Sequence, residues 1–231
     1  PVGVLDNVKV YRNYCKELGF RAPRYDRGTT FHLGGVRRAH IAGNIIERCG
    51  AQAINVLAGK ASGMRGEVPL VRIIIQQNKA WKSMQNGNDF GGIETWQHGP
   101  VYTFNNISHD ARGQQEGKRV INGSTQGFGH AYYLDGGNKN YLFNNIAWGK
   151  SNDQTNPLAN CSAFQAIHCH QNSYFNNSAW NFVNGSRRQS PVPGRRKFVG
   201  NIFQDISDWA FWHWKPAKTD REANANDVGD I

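Results

Sequence analysis

The stretch Asn140–Trp148, NYLFNNIAW, decides the fold because its parts recur along the chain. A short run of aromatic and branched residues leads into paired asparagines, and a second short run follows and ends in tryptophan. The ending Phe-Asn-Asn occurs again at Asn106 and at Asn177. The continuation Asn-x-Ala-Trp occurs at residues 78–81, 145–148 and 177–180. Self-similarity of this kind predicts a repeat architecture, in which each copy is one structural unit.

Each copy can be anchored on the asparagine that ends its first run. The anchors are Asn13, Asn44, Asn78, Asn106, Asn145, Asn177 and Asn201. Successive anchors lie 31, 34, 28, 39, 32 and 24 residues apart. Short strands that return at such intervals are typical of a solenoid, in which each turn of the chain lays its strands on those of the turn below. The anchors therefore predict an all-β fold of about six to seven stacked coils.

Asparagine has a physical reason to recur at the corner of a coil. It tolerates left-handed backbone angles better than most residues, and its amide can hydrogen-bond both the turn and the asparagine of the next coil. We therefore expect Asn106, Asn145 and Asn177 to lie one above another at the same corner.

Composition agrees with a folded, β-rich chain. The 231 residues are 39% hydrophobic and include 26 glycines, which favour turns over helices. No run of about 18 apolar residues occurs, so no membrane span is predicted. The chain begins at Pro1, without an initiator Met or a secretory leader. This start predicts a piece of a longer protein, and a further domain of that protein is one candidate partner.

With these repeats, the chain resembles the right-handed parallel β-helix proteins of the pectin lyase-like group. The resemblance covers roughly Val2 to Asp208 and rests on the Phe-Asn-Asn coil ends and on the openings GGIETW (91–96) and AYYLDGG (131–137). It implies a parallel β-helix over residues 1–208, followed by an aromatic cap and polar tail over residues 209–231. It also implies a secreted or periplasmic protein that acts on a polysaccharide or oligosaccharide.

Counting back from the anchors aligns one strand from each of four coils. Because strand side chains alternate between faces, two neighbouring columns of outward side chains follow. The first column is Asn55, Glu94, Tyr133 and Gln165. The second column is Leu57, Trp96, Asp135 and Ile167. An acid, a phenol, an amide and a tryptophan on one outward sheet face predict a sugar-binding site.

The carboxyls of Glu94 and Asp135 are the predicted catalytic pair. They fall on adjacent coils and two positions apart, which puts their α-carbons about 8 Å apart. This separation suits an inverting glycoside hydrolase, whose carboxyls are roughly 6.5–9.5 Å apart. The sequence does not assign which carboxyl is the acid and which the base, although the position of Glu94 beside Trp96 favours Glu94 as the acid. Neither side chain is expected in the core, so replacing them should leave folding almost unchanged.

The predicted substrate-binding residues surround this pair. They are Trp96, Tyr133, His130, His98, Gln165 and Asn55. No metal ligands are predicted, because His168 and His170 have no evident third partner. No cofactor is expected either. Calcium stays an open alternative, although the stacked acids that bind it in pectate lyases are missing.

A polysaccharide lyase is the alternative reaction. The formal net charge of +10 favours an anionic partner, and no nucleic-acid recognition motif appears, so the anion would be an acidic glycan. Lyases of this group neutralise a uronate and remove its C5 proton, a task for Lys139, Arg112, Arg119, Tyr133 or His130. Much of the charge lies in GSRRQSPVPGRRK (185–197), which is predicted to be a surface loop.

A non-catalytic tailspike or adhesin is the third reading. Such a protein would bind glycans through exposed aromatics and would not need two carboxyls. The segment DWAFWHW, residues 208–214, could be such a platform. Its position after the last recognisable coil favours a cap over the apolar end of the solenoid instead.

Overall fold

The structure is a computed structural model and contains only β-strands as regular elements in its described residues. These residues are 4–20, 28–57, 72–87, 89–111, 119–121, 124–126, 129–149, 161–188, 196–213 and 227–229. No helix in this part of the chain is long and apolar enough to cross a membrane. The all-β prediction is therefore confirmed for the described ranges.

The strands are short in the first half of the chain and longer near its end. In chain order they are β1 (Val8–Tyr11), β2 (Tyr14–Leu18), β3 (Phe31–Gly34), β4 (Arg38–Ala42), β5 (Ile45–Cys49), β6 (Ile54–Leu57), β7 (Arg72–Gln76), β8 (Lys79–Trp81), β9 (Phe90–His98), β10 (Val101–Phe104), β11 (Ile107–His109), β12 (Arg119–Ile121), β13 (Ser124–Gln126), β14 (Gly129–Gly137), β15 (Asn140–Phe143), β16 (Ile146–Trp148), β17 (Ser162–Ile167), β18 (Asn172–Phe175), β19 (Ser178–Arg188), β20 (Arg196–Val199), β21 (Ile202–His213) and β22 (Asp227–Gly229).

Two large parallel sheets arise because the chain visits them in turn. The first sheet has eight strands in the order β1-β4-β7-β10-β15-β18-β20-β22. The second has twelve strands, of which eleven follow the order β2-β5-β8-β11-β16-β19-β17-β14-β9-β6-β3, and β21 pairs with β19. Passes through both sheets begin at β1, β4, β7, β10, β15, β18 and β20, which gives a solenoid-like stack. The separate pair β12 and β13 is antiparallel and comes from the insertion after Asn106.

The seven anchors form a continuous asparagine ladder at one corner. In each step the Nδ2 of one asparagine donates to the Oδ1 of the next, at 2.8 to 3.1 Å. The backbone N–H of the same residue donates to the same oxygen. The predicted stacking of Asn106, Asn145 and Asn177 is therefore confirmed.

The two asparagines of each pair have different structural roles at the corner. The first of each pair takes the left-handed conformation, with φ of 54° at Asn105, 54° at Asn144 and 50° at Asn176. The second makes the ladder. A single Asn was expected to do both, but a left-handed residue and a ladder residue occupy successive positions.

The core lies between the sheets and is made of large apolar side chains from every coil. Its largest fully buried members include Ile41, Ile73, Ile93, Leu142, Tyr132, Phe164 and Tyr174. Tyr132 stacks on Phe164 with ring centroids 5.3 Å apart and donates its hydroxyl to the backbone oxygen of Asn106 at 3.0 Å. The core strands therefore fix which side chains of β9, β14 and β17 point away from it.

The last long strand, β21, runs alongside β19 from Ile202 to His213. The division predicted between residues 208 and 209 falls inside this strand. Trp209, which is 58% exposed, and Trp212 belong to the strand, whereas Trp214 lies outside the described residues.

Candidate functional site

The strand register brings the predicted columns together as the sequence alignment has them. Glu94 pairs with Asn55 on one side and with Tyr133 on the other, and Tyr133 pairs with Gln165. In the second column Trp96 pairs with Leu57 and Asp135, and Asp135 pairs with Ile167. The neighbouring core positions Ile93 and Tyr132 are in the apolar cluster, so the columns lie on the opposite face.

The expectation that the first column is exposed to solvent is wrong. Asn55 is 4% exposed, Glu94 1%, Tyr133 4% and Gln165 1%. Strand alternation predicts the face on which a side chain lies, but it does not predict whether that face is open. The first column is therefore a buried polar layer. The expectation that replacing Glu94 would leave folding almost unchanged rested on an exposed side chain, and the side chain is buried.

Glu94 is held by two hydrogen bonds to one of its oxygens. Its Oε2 accepts from the backbone N–H of Gly91 at 3.1 Å and from Nε2 of Gln52 at 3.3 Å. Burial raises the pKa of Glu94 well above its ordinary value, these two hydrogen bonds oppose the shift, and the negative charges of Asp135 and Asp89 add to it. The carboxyl is therefore poised to keep its proton.

Asp135 has a different environment at the edge of the same site. It is partly exposed. Burial raises its pKa to about 6, while a hydrogen bond from Trp96 and the charge of His168 favour the ionised form. Glu94 and Asp135 are thus two neighbouring carboxyls whose surroundings differ, which is the usual condition for separate acid and base roles.

His130 and Tyr133 pack against each other on the same face. Their rings meet edge to face with centroids 5.5 Å apart. His130 is completely buried, and its Nδ1 lies 3.2 Å from the backbone N and 2.8 Å from the hydroxyl of Ser162. Burial, assisted by the charge of Arg187, lowers the pKa of His130 well below its ordinary value. Burial raises the pKa of Tyr133. Both side chains are consequently neutral near pH 7.

Arg187 extends the first column by one coil. It pairs with Gln165 on β17, is 3% exposed, and its guanidinium carbon lies 4.7 Å from the ring centroid of Trp212. The predicted surface loop is therefore wrong at this point. Arg187 and Arg188 belong to β19, Arg196 begins β20, and all three are buried. Arg195 lies outside the described residues.

Three residues of the site were missed by sequence reasoning. Gln52 precedes β6 and Asp89 precedes β9, so neither lies in the aligned strand windows. Asp89 takes a left-handed conformation with φ of 67°. The sequence Asn-Asp indicates a turn there but does not place Asp89 near Glu94. Arg187 was assigned to a loop because Asn-Gly-Ser is a turn signal.

Of the other residues that the sequence predicted, some are exposed and some have side chains that the structure does not describe. His98 ends β9 and pairs with Gly137, but its side chain is not described. Arg112 and the side chain of Arg119 also lie outside the described residues, and Lys139 is exposed. His168 and His170 are exposed. Among the described residues no group of three His, Cys, Asp or Glu is placed to hold a metal ion.

Comparisons with known proteins give no relative from which a role for this site could be inferred. No protein-family model, no curated protein and no solved structure matches this chain.

Proposed function

We propose that the chain is a right-handed parallel β-helix of the pectin lyase-like kind and a carbohydrate-active enzyme that hydrolyses glycosidic bonds in a polysaccharide. One observation carries the proposal: Glu94 and Asp135 lie on paired strands in environments that separate their protonation. The solenoid of parallel strands supports the fold assignment. A secreted or periplasmic location follows from a polysaccharide substrate and is part of the proposal.

The reaction assigns one proton transfer to each carboxyl. Glu94 donates its proton to the glycosidic oxygen as the bond from that oxygen to the anomeric carbon breaks. Asp135, ionised above a pKa of about 6, accepts a proton from the water that attacks the anomeric carbon from the other side. The products are two shorter chains that together contain one added water. The proton on Asp135 returns through solvent, which its partial exposure permits.

The remaining side chains would bind and orient the sugar. Trp96 holds Asp135 by a hydrogen bond and offers an indole ring beside it. Asn55 Oδ1 is buried and has no hydrogen-bond partner among the described residues, so it is ready to accept from a sugar hydroxyl. Gln165 and Tyr133 complete the polar layer around Glu94.

The test is product analysis with paired variants. The protein is incubated with a panel of neutral and acidic polysaccharides, and the products are weighed by mass spectrometry. Hydrolysis adds one water for each bond broken. Glu94→Gln and Asp135→Asn should each lower turnover about 10²- to 10⁴-fold, while Glu47→Gln, on the outer face of another strand, should not. Near-normal turnover in both site variants would overturn the assignment.

A lyase is the second candidate, and one observation favours it. Arg187, Tyr133 and His130 lie together on the face that carries Glu94, and such groups can hold a uronate and move its C5 proton. A lyase leaves an unsaturated sugar that absorbs in the ultraviolet and adds no water. If those products appear and Tyr133→Phe abolishes them while Asp135→Asn does not, the lyase replaces the hydrolase.

A further inference from the structure

Gln52 is a buried amide with a hydrogen bond at each of its two ends. It is 1% exposed and lies two positions before Ile54, the first residue of β6. Its Oε1 accepts from the hydroxyl of Thr29 at 2.6 Å. Its Nε2 donates to Oε2 of Glu94 at 3.3 Å. The side chain of Gln52 therefore links the carboxyl of Glu94 to the hydroxyl of Thr29, which lies just before β3.

The backbone holds this amide in place. The N–H of Thr30 donates to the backbone oxygen of Gln52 at 3.0 Å, and the N–H of Ala53 donates to the backbone oxygen of Gly92 at 2.9 Å. The segments before β3 and β6 and the start of β9 are thus bonded to one another around Gln52. Since the side chain of Gln52 is also closely packed, it has little freedom to leave Glu94.

Hydrogen-bond chemistry fixes which end of the amide faces Glu94. Oε2 of Glu94 already accepts from the backbone N–H of Gly91 at 3.1 Å, and an amide oxygen beside it would place two acceptors against each other. The amide nitrogen of Gln52 therefore faces Glu94, and the amide oxygen faces Thr29, whose hydroxyl donates. The two hydrogen bonds run in the same direction, an arrangement in which each strengthens the other. Removing the hydroxyl of Thr29 would leave the amide oxygen of Gln52 as a buried acceptor that has lost its donor.

The groups around Glu94 give Gln52 a distinct role. Burial raises the pKa of Glu94, and the charges of Asp135 and Asp89 add to the rise. Tyr133, on the paired strand β14, stays neutral because burial raises its pKa as well. Two hydrogen bonds oppose the rise at Glu94, and one of them comes from the backbone. Among the described residues, Gln52 is thus the one side chain that donates to this carboxyl.

We propose that Gln52 is a positioning residue of the candidate site: oriented by Thr29, its amide holds Oε2 of Glu94 and fixes the direction in which the carboxyl faces. Gln52 acts through Glu94 and needs no contact with the sugar. The proposal rests on the proposed function in taking Glu94 as the proton donor. Proton transfer to a glycosidic oxygen requires a carboxyl at a set position and angle, so a loosely held Glu94 would lower turnover more than it weakens binding.

The first test observes the carboxyl directly by infrared spectroscopy. Each spectrum is recorded at mildly acidic pH, and the spectrum of the same protein carrying Glu94→Gln is subtracted, which isolates the C=O band of Glu94. Gln52→Met keeps the length of the side chain and removes its donor, so the band should move to higher frequency, as a carboxyl C=O does when it loses a hydrogen-bond donor. Gln76→Met is the matched control, since Gln76 is hydrogen-bonded to His40 on the other large sheet. An unmoved band in Gln52→Met would overturn the proposal.

The second test separates positioning from a merely structural role. On a glycan that the wild-type protein cleaves, Gln52→Met should lower kcat about tenfold to a hundredfold and leave KM nearly unchanged. Thr29→Val keeps the shape of the side chain and removes its hydroxyl, so it should change the band and kcat in the same direction. Thr29→Ser keeps a hydroxyl and should match the wild type in both. If Gln52→Met does not fold, the two Thr29 variants decide, and equal bands in them would overturn the proposal.

The outcomes distinguish this proposal from the proposed function. Cleavage that depends on Glu94, with kcat and the band unchanged in Gln52→Met, would overturn the positioning role and leave the hydrolase standing. A band that moves in Gln52→Met, in a protein that cleaves no glycan, would remove the enzyme assignment and leave the hold of Gln52 on Glu94 standing.

Discussion

At the scale of single residues, burial links Glu94 to folding as well as to chemistry. Its folded pKa is raised, so from about pH 4.5 upward the unfolded chain releases a proton that the folded chain keeps. The contribution of Glu94 to stability is therefore largest at low pH and is lost as the pH rises towards the folded pKa. His130 has the opposite sign. Its folded pKa is lowered, so its contribution is lost as the pH falls below about 6.5.

The Glu94→Gln variant isolates the first of these effects. The amide stays neutral at every pH, so we expect the melting temperature of the variant to rise relative to that of the wild type between about pH 5 and pH 8. Thermal unfolding followed by circular dichroism at several pH values measures the difference. Glu47→Gln makes the same exchange of carboxyl for amide on a different strand and is the matched comparison. A constant difference across the range would mean that Glu94 is ionised in the folded protein.

The hydrogen bond from Trp96 to Asp135 gives a second prediction at this scale. It favours the ionised carboxylate, so Trp96→Phe should raise the pKa of Asp135 above its present value of about 6. If Asp135 is the base, the acidic limb of the profile of kcat/KM against pH should move to higher pH in this variant. Trp180→Phe, on the outer side of β19, serves as the control. An unmoved acidic limb would assign that limb to a group other than Asp135.

The sequence alone predicts some features of the site and not others. Strand alternation and the anchors are enough to align Glu94 with Tyr133 and Trp96 with Asp135, because both rest on local geometry. Burial of Glu94 depends on what lies over the face, and a strand pattern carries no information on that. Gln52 was missed for the same reason, since its contact with Glu94 joins residues 42 positions apart in the chain.

At the scale of elements, the asparagine ladder should be a main source of stability at its corner. Asn145 accepts from the backbone and side chain of Asn106 and donates to Thr103 and Asn177. Replacing it with alanine leaves these buried groups unsatisfied. Each unsatisfied group costs about 1–3 kcal/mol, although the costs do not simply add.

We therefore expect Asn145→Ala to lower the free energy of unfolding by several times more than Asn13→Ala. Asn13 is the terminal rung, is exposed, and accepts no hydrogen bond from another rung among the described residues. Asn144→Gly is the matched control, because the left-handed backbone at this residue suits glycine. Urea unfolding measures all three variants. Equal losses for Asn145→Ala and Asn13→Ala would show that the ladder does not carry the stability of the corner.

The long strands mark the limit of element prediction from sequence. The first coils have clear turn residues between short strands, and the anchors locate them. In β19 the segment Asn184-Gly185-Ser186 has turn composition, yet it stays in the strand because it pairs with β17 and β21. Packing of Gly185 explains this in part, since a Cβ there would lie 2.7 Å from the backbone oxygen of Ala210. Such long-range contacts override local propensity in sheets.

At the scale of the whole molecule, the charge of +10 has to be divided into exposed and buried parts. Exposed lysines such as Lys82, Lys139 and Lys197 act through solvent. Their field is screened beyond about 8–10 Å at physiological ionic strength, so they affect the rate at which an anion arrives. Arg187 is buried and acts at contact distance, where salt screens much less. Replacing Arg187 or Arg188 would therefore report on folding and binding, not on long-range attraction.

The two parts should separate in an experiment on salt dependence. The association rate of an acidic oligosaccharide that binds should fall steeply between about 50 mM and 500 mM salt, because the exposed charges that steer it are screened. Replacing Lys82, Lys139 and Lys197 together with glutamine should flatten this dependence without changing folding. The dissociation rate of the same oligosaccharide should change much less over this range, because contacts with buried charges such as Arg187 are screened far less by salt than exposed charges are. Stopped-flow measurements on Asp135→Asn protein give both rates. If the triple lysine variant kept the full salt dependence of the association rate, the exposed lysines would not be the charges that attract the anion.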